Sequence, residues 1–462
     1  MRTWILTCMF TIACVFLCKF EGMENQDFSL KYELETGELV NLQTYTCEAC
    51  SNKQFVSGFN NKNNSIIINP IVDKTGKYEL KLSYRIPSQA DKKKVTITMN
   101  NIETYELTIT NANNNKFKES VTRIVNLNAG ENTIKITSNW GYFDLDYLQV
   151  SYPVKKKTFK LSNSKSSVET KKLMSFLNDN YKNKIISGQQ NIERVNSIAA
   201  ITGKKPAIVG FDFMDYSPSR VENGNYSNEV EKAIKWNKDG GIVTFSWHWN
   251  APKNLTNWKR GFYTDGTTFD IKYALEHPDS EDYKLILRDI DQIAMQLEKL
   301  KENNVPVIFR PLHEAEGGWF WWGAKGPEAA KELYKLIYKR MTTKFNLNNI
   351  IWVWNSTSPD WYPGNQFVDI VSYDSYPPAY NYKSSIEQFD LMNDLVREEK
   401  LVTMSENGSI PNPAELQKDQ AFWSWFLTWD SFISEKNSKK HIIDVYNSDY
   451  VITLDDLPNL QK

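Results

Sequence analysis

Two glutamates stand where this chain's pattern puts reactive groups. Glu314 ends the run Arg310-Pro311-Leu312-His313-Glu314, and Glu406 lies in Ser405-Glu406-Asn407-Gly408; each follows a short apolar segment. Two carboxylates facing each other have a defined use. One, protonated, gives its proton to a leaving oxygen, and the other, ionised, attacks the reacting carbon or activates water. Hydrolysis of a glycosidic bond needs such a pair, about 5–5.5 Å apart when the second is the nucleophile. His248, Trp249, Arg310, His313, Trp319, Trp322, Asp374 and Tyr376 fall at or just past similar segment ends. A neighbouring Arg or Tyr hydroxyl keeps one carboxylate ionised, while burial beside a like charge raises the pKa of the other. Taken singly, a strand-end glutamate usually serves the surface, a histidine a structural hydrogen bond and a tryptophan the core. The functional reading rests on their joint occurrence at successive segment ends.

The elements that present them follow from the pattern after Glu169. Candidate strands are Ile185–Ser187, Ala207–Phe211, Ile242–Ser246, Val305–Arg310, Ile350–Trp354, Ile370–Tyr373, Leu401–Met404 and Ile442–Val445. Helical patterns fall between most of them, at Val230–Lys238, Tyr283–Asn303, Glu328–Lys344 and Phe422–Glu435. Strands alternating with helices over residues 170–462 fit an α/β fold, a (β/α)8 barrel, whose catalytic groups lie past the C-terminal strand ends. Strands four and seven then stand on opposite sides, so Glu314 and Glu406 converge over the axis. An open doubly wound sheet is the alternative; Ser187-Gly188-Gln189-Gln190 lacks the Gly-rich phosphate loop which that fold carries after its first strand.

Residues 28–153 follow another grammar. Short alternating runs such as Tyr78-Glu79-Leu80-Lys81-Leu82-Ser83-Tyr84 and Val95-Thr96-Ile97-Thr98-Met99 are separated by Asn, Gly and Lys clusters, which predicts an all-β sandwich. Residues 154–169, basic and then Ser-rich, read as a linker. Residues 1–22 place one Arg before an apolar run shorter than the ~20 residues that span a bilayer, and read as a signal peptide of a secreted, extracellular protein. Of five cysteines, three lie in that leader; Cys47 and Cys50 remain, and an oxidising compartment makes a local disulfide plausible. Sequons begin at Asn63, Asn225, Asn254, Asn355 and Asn407.

Composition narrows the partners. Formal net charge is −1, from 55 basic and 56 acidic residues, so nothing draws nucleic acid, and no membrane partner is expected once the leader is gone. The chain carries 15 Trp, 23 Tyr and 23 Phe. Aromatic rings pack on the apolar face of a pyranose, or fill a large core.

Arg310–Glu314 with Gly318-Trp319-Phe320-Trp321-Trp322 behind it resembles the acid/base signature of glycoside hydrolase family 26. Ser405–Gly408 is similar to that family's nucleophile strand, and Tyr362-Pro363-Gly364, Val368–Val371 and Asp374-Ser375-Tyr376 match its intervening text. The resemblance implies a retaining double displacement with Glu314 as acid/base and Glu406 as nucleophile. It implies Trp319 as a sugar platform, Tyr376 (rather than Tyr373) as hydrogen-bond donor to the nucleophile, and His248 and His313 against sugar or catalytic groups. No cofactor is implied for catalysis. Residues 28–153 resemble carbohydrate-binding module family 35 through Tyr32-Glu33-Leu34-Glu35, Gly76–Leu80, Ala129–Ile134 and Trp140–Tyr147. That resemblance implies a structural calcium on Glu33, Glu35 and Asp146. Glu33 and Glu35 also read as the solvent face of an edge strand, and Trp140 as platform or core.

The expected activity is that of a monomeric endo-β-1,4-mannanase acting on mannan, galactomannan or glucomannan of the plant cell wall. The same motifs serve β-1,3-1,4-glucanases and β-1,3-xylanases, and a non-catalytic polysaccharide-binding protein is the reading from another class. Endo action calls for an open groove, with Trp249, Trp321 and Trp361 among its expected platforms.

Overall fold

The computed structural model describes residues 28–460 apart from 89, 91, 112–114, 155 and 156, so the leader read over 1–22 lies outside the described residues. The N-terminal region is an antiparallel sandwich. One sheet runs Lys118–Glu119, Gly76–Arg85, Asp144–Ser151, Gln54–Ser57, Gln43–Thr46, with Ser29–Glu33 and Arg123–Leu127 paired alongside. The other runs Glu38–Val40, Ser65–Ile68, Ile134–Trp140, Lys92–Met99, Glu103–Thr110. Alternation drives the packing: Tyr78, Leu80, Leu82 and Tyr84 point inward to meet Val95, Ile97, Met99, Ile134 and Ile136. The loop after Gln43–Thr46 is closed by a Cys47–Cys50 disulfide. The Trp140 side chain lies outside the described residues.

The second region is a parallel barrel. Its strands are β1 (Gly188–Gln190), β2 (Ile208–Asp212), β3 (Ile242–Ser246), β4 (Val307–Arg310), β5 (Ile350–Asn355), β6 (Ile370–Ser375) and β7 (Leu401–Asn407), each bonded to the next. Helices cover the outside. In Glu281–Glu302, for example, Ile286, Ile290, Ile293, Leu297 and Leu300 recur at helical spacing and all are buried.

The eighth strand corrects the sequence reading. Ile442–Val445 lies in the helix Lys439–Tyr446, capped by Ser438, whose side chain accepts from the His441 amide. The barrel is instead closed by β8, residues 424–428, inside the segment read as the helix Phe422–Glu435. Ile186 N donates to Ser424 O, Phe426 N to Ile186 O and Thr428 N to Gly188 O on one side; on the other Ser424 N donates to Val402 O and Asn407 N to Leu427 O. Trp423 through Thr428 are all buried. A strand covered on both faces shows no alternation, so its text cannot be told from a buried helix. Only Phe432–Glu435 of that segment is helical.

Residues 159–167, read as part of a linker, are fastened to the barrel. Phe159 is buried and exchanges hydrogen bonds with Asn178, Ser162 N donates to Asp369, and Ser167 caps the helix Val168–Asn180. Leu173, Met174 and Leu177 of that helix pack with Ile208, Ile242, Ile308, Ile351, Ile370 and Leu401 at the strand starts. The N-terminal mouth is thereby plugged, which leaves the C-terminal rim for chemistry. No helix among the described residues is long and apolar enough to cross a membrane.

Candidate active site

Glu406, at the end of β7, is buried, as is Arg310 at the end of β4. Arg310 Nη2 pairs with Glu406 Oε1, and its Nη1 donates to Asp374 Oδ2 at 2.9 Å. The Tyr376 hydroxyl donates to Glu406 Oε2, and Ser405 Oγ to Asp374 Oδ1 at 2.7 Å. Glu406 thus holds a charge-assisted bond from a guanidinium and a second from a phenol. Burial, with the Glu406 charge next in weight, pushes the Tyr376 hydroxyl far above the ordinary phenol range, so it stays a donor.

Glu314 follows β4 in a left-handed backbone conformation, φ 51°, two residues after Leu312 at φ 55°. Such strain persists where the surroundings fix it, here by Asn355 at the end of β5, whose Oδ1 accepts from Glu314 N at 2.7 Å. Asn355 Nδ2 reaches Ser372 and Ser405, tying the Glu314 backbone to β6 and β7. Trp319 Nε1 donates to Glu314 Oε2 at 3.0 Å. The indole lies so close over Gly317 that a Cβ there would stand 2.1 Å from the ring, so any side chain at this position would push the indole aside.

Glu314, Asp374 and Glu406 each bring a carboxylate oxygen within 4.8 Å of the others. Burial first, and then the Glu406 charge, raises the Glu314 pKa above the usual carboxylate range. The two glutamates therefore differ in their partners: Glu406 is bonded by Arg310 and Tyr376, and Glu314 by the Trp319 indole.

A second polar group adjoins them. Asp212, at the end of β2, accepts from His248 N, Met214 N and Ser246 Oγ and pairs with His248 Nδ1. His248 Nε2 lies 3.2 Å from His313 Nε2. Burial works against a charged His248, but the Asp212 carboxylate outweighs it and the pKa rises. Burial, then the Arg310 and His248 charges, hold His313 well below the ordinary range, so it is neutral.

The structure divides the residues expected at the site. Trp319 and Tyr376, 46% and 43% exposed, line the open side of the site, Glu314 and His248 are half-buried, and Glu406 is buried beside them. Arg310 and His313 are buried behind the two glutamates, the Asp374 side chain is covered too, and they hold the glutamates or their neighbours. Trp249 and Trp322, expected to bind substrate, are fully buried. Trp249 stacks on Trp247 and donates to Asp289, and Trp322 donates to His313 O, so both build the floor of the loops. Trp321, expected as a platform, is likewise buried and donates to Trp249 O. An indole flanked by aromatic side chains lowers its free energy by burial, and sequence does not say which tryptophan stays outside. Asp212 and Asn355 were absent from the expected site, although both end barrel strands, which is the signal that would have found them. Asn355 and Asn407, which begin sequons, are buried, Asn355 in this network and Asn407 against Thr428.

In the sandwich, Glu33, Glu35 and Asp146 come together. Ser51 Oγ donates to Glu33 and Ser51 N to Asp146, Asn52 Nδ2 donates to Glu35, and Ser83 Oγ to Asp146. Glu33 Oε2, Glu35 Oε2 and Asp146 Oδ1 remain buried without a partner. Burial, and then the Glu33 and Glu35 charges, raise the Asp146 pKa. Orphaned carboxylate oxygens fit a hard cation such as calcium. Their oxygens are more widely spread than those of the cleft, which form the one acidic triple within 4.8 Å among the described residues.

Comparison with known proteins agrees with this geometry. The sequence model of glycosyl hydrolase family 26 matches residues 162–456, and that of carbohydrate binding module family 35 matches residues 30–153. A mannan endo-1,4-beta-mannosidase of Thermothelomyces thermophilus is 41% identical over 93% of this chain and 91% of its own. The crystal structure of a Podospora anserina GH26-CBM35 beta-(1,4)-mannanase superposes with a TM-score of 0.66 at 40% identity, over 95% of this chain and all of that one. That of a ruminal GH26 endo-beta-1,4-mannanase gives 0.69 at 30% identity, over 95% and all. With its paired glutamates over a closed parallel barrel and a β-sandwich ahead of it, the chain belongs to glycosyl hydrolase family 26.

Proposed function

We propose that this chain is a secreted, retaining endo-β-1,4-mannanase. The observation that carries the mechanism is the asymmetry of two carboxylates whose oxygens lie within 4.8 Å: Glu406 bonded by Arg310 and Tyr376, Glu314 half-buried beside it and raised in pKa. With a glycosidic bond between them, Glu406 attacks the anomeric carbon. The bond to the leaving oxygen breaks as Glu314 delivers its proton to that oxygen. A glycosyl ester on Glu406 results. Glu314, now ionised, takes a proton from water, the water oxygen attacks the anomeric carbon from the vacated face, and the ester bond breaks. Two inversions give net retention. Arg310 remains paired with Asp374 while the Glu406 charge is consumed and restored, so it is not left as an unpaired buried cation. The exposed Trp319 indole offers the sugar an apolar face beside the acid. Both proton transfers and the nucleophile come from the chain itself, without a catalytic cofactor.

Mannan as substrate is supported by relatives named mannan endo-1,4-beta-mannosidase that align over nearly the whole chain. Secretion is supported by the leader text and by the Cys47–Cys50 disulfide, which suits an oxidising compartment. The protein acts as a monomer on plant cell-wall polysaccharide, with the sandwich as a sugar-binding module. Glu33, Glu35 and Asp146 would hold a calcium ion there, which stabilises the loop of Ser51 and Asn52 and takes no part in hydrolysis. The test is product analysis on unbranched mannan, mixed-linkage glucan and β-1,3-xylan. Oligosaccharides from mannan alone are expected. Products only from another polymer would overturn the substrate but keep the mechanism, and no products from any would overturn both.

A further inference from the structure

We infer that the sandwich is a fixed structural partner of the barrel, held through a charge-matched interface inside the chain, and not a module free to move on its linker. The barrel's side of this interface is the helix Ile386–Leu395 between β6 and β7, and the turn after it. Glu387, Asp390 and Asp394 recur at spacings of three and four and so share one helix face, and Glu398 follows. The sandwich answers each acid with a donor. Lys92 and Lys94 pair with Glu387. Lys118 reaches Asp394 at 2.9 Å, beside the Thr110 hydroxyl. Thr122 Oγ1 donates to Glu398 at 2.8 Å, with Lys81 3.7 Å away.

At the centre Arg123 Nη2 meets both oxygens of Asp390 at 2.7 and 2.5 Å, with only 2% and 1% of the two side chains exposed. A buried ion pair is tolerated only when its remaining valences are met. They are: Arg123 also donates to Glu106 O, and Asp390 accepts from Thr108 N at 2.9 Å. Beside this pair Gln420 mimics a strand partner, accepting from Ile124 N and donating to Ile124 O.

An independent observation concerns the sheet. Glu103–Thr110 is the outer strand of its sheet, and an outer strand exposes unpaired amides to solvent or to other chains. Here the Thr108 amide is capped by a carboxylate of the barrel. Among the described residues, the ion pairs of these acids all reach the sandwich: Glu387 to Lys92 and Lys94, Asp390 to Arg123, Asp394 to Lys118 and Glu398 to Lys81. The same helix lies on the outside of β6 and β7, the strands that bear Asp374 and Glu406. The sandwich therefore braces the nucleophile's side of the barrel, and any polysaccharide it binds stands at a constant orientation to the cleft.

Scanning calorimetry of the full chain tests this, using Arg123→Met, Asp390→Leu and the double variant. Wild type is expected to unfold in one coupled transition. Each single change leaves one charge without its counter-ion and lowers the midpoint by roughly 5 °C, while the double variant recovers most of the loss. Two separate transitions in wild type, or a barrel transition that neither single change moves, would overturn the proposal. Should a variant not fold, hydrogen exchange on the wild type decides. The Thr108 and Ile124 amides, whose acceptors belong to the barrel, are expected among the slowly exchanging core. Exchange at the rate of a free outer strand would count against a fixed dock.

Discussion

Acidic side chains gather at the barrel rim and again in the sandwich, and the two groups are neutralised by different means. At the rim the cation is covalently part of the chain: Arg310 divides its guanidinium between Asp374 and Glu406. In the sandwich the acids receive hydroxyl and amide donors from Ser51, Asn52 and Ser83, but Glu33, Glu35 and Asp146 each keep an oxygen without a partner. An internal cation stays in place while the charge beside it is spent and regenerated, which suits a nucleophile. Orphaned oxygens suit a bound ion that fixes a loop and takes no part in proton transfer. The number of carboxylates alone does not separate the two uses; the identity of the neighbouring donor does.

The comparison is broken most forcefully at Arg310. Replacing it by Met removes the internal cation, leaves the Asp374 and Glu406 carboxyls without its hydrogen bonds, and should cost on the order of 10³-fold in kcat or more. Steady-state kinetics on a soluble mannan would check this, and added calcium should restore nothing. A loss of tenfold or less would mean that the nucleophile does not depend on the guanidinium.

The sandwich should respond to an external ion instead. Adding calcium to chelator-treated protein is expected to raise the melting midpoint by several degrees, and Asp146→Asn, which keeps the shape but removes a charge, should abolish most of that shift. A wild-type midpoint indifferent to calcium would assign the orphaned oxygens another role.

The smallest effect sharpens the acid's side of the account. Glu314 must be protonated to act, and its pKa is raised, so activity is present below that pKa and lost as pH rises through it. The Trp319 N–H stabilises the ionised form and so lowers the pKa. Trp319→Phe should move the alkaline limb of kcat/KM upward, by less than about one pH unit, and raise KM through the altered platform. A downward shift would show that the indole does not act on Glu314.

Much of this was legible in the sequence because reactive side chains at strand ends interrupt apolar runs. Glu314, Glu406, Arg310 and Tyr376 stand out in that way, and the alternating text of Tyr78–Tyr84 announced a sheet with one covered face. Strand β8 was not legible, because Trp423 to Thr428 are buried all round and period is lost. Burial of Trp249, Trp321 and Trp322 was hidden too, since an indole's place inside or outside depends on neighbours distant in the chain. The acids of Ile386–Leu395 read like any solvated helix face; their partners Arg123 and Lys118 lie more than 250 residues earlier.

The most direct test of the central claim is to trap the nucleophile. Incubation with an activated 2-deoxy-2-fluoro mannoside, followed by proteolysis and mass spectrometry, should place a single glycosyl adduct on Glu406, and none should form with Glu406→Gln. An adduct on another residue, or first-formed products of inverted anomeric configuration, would contradict the assignment.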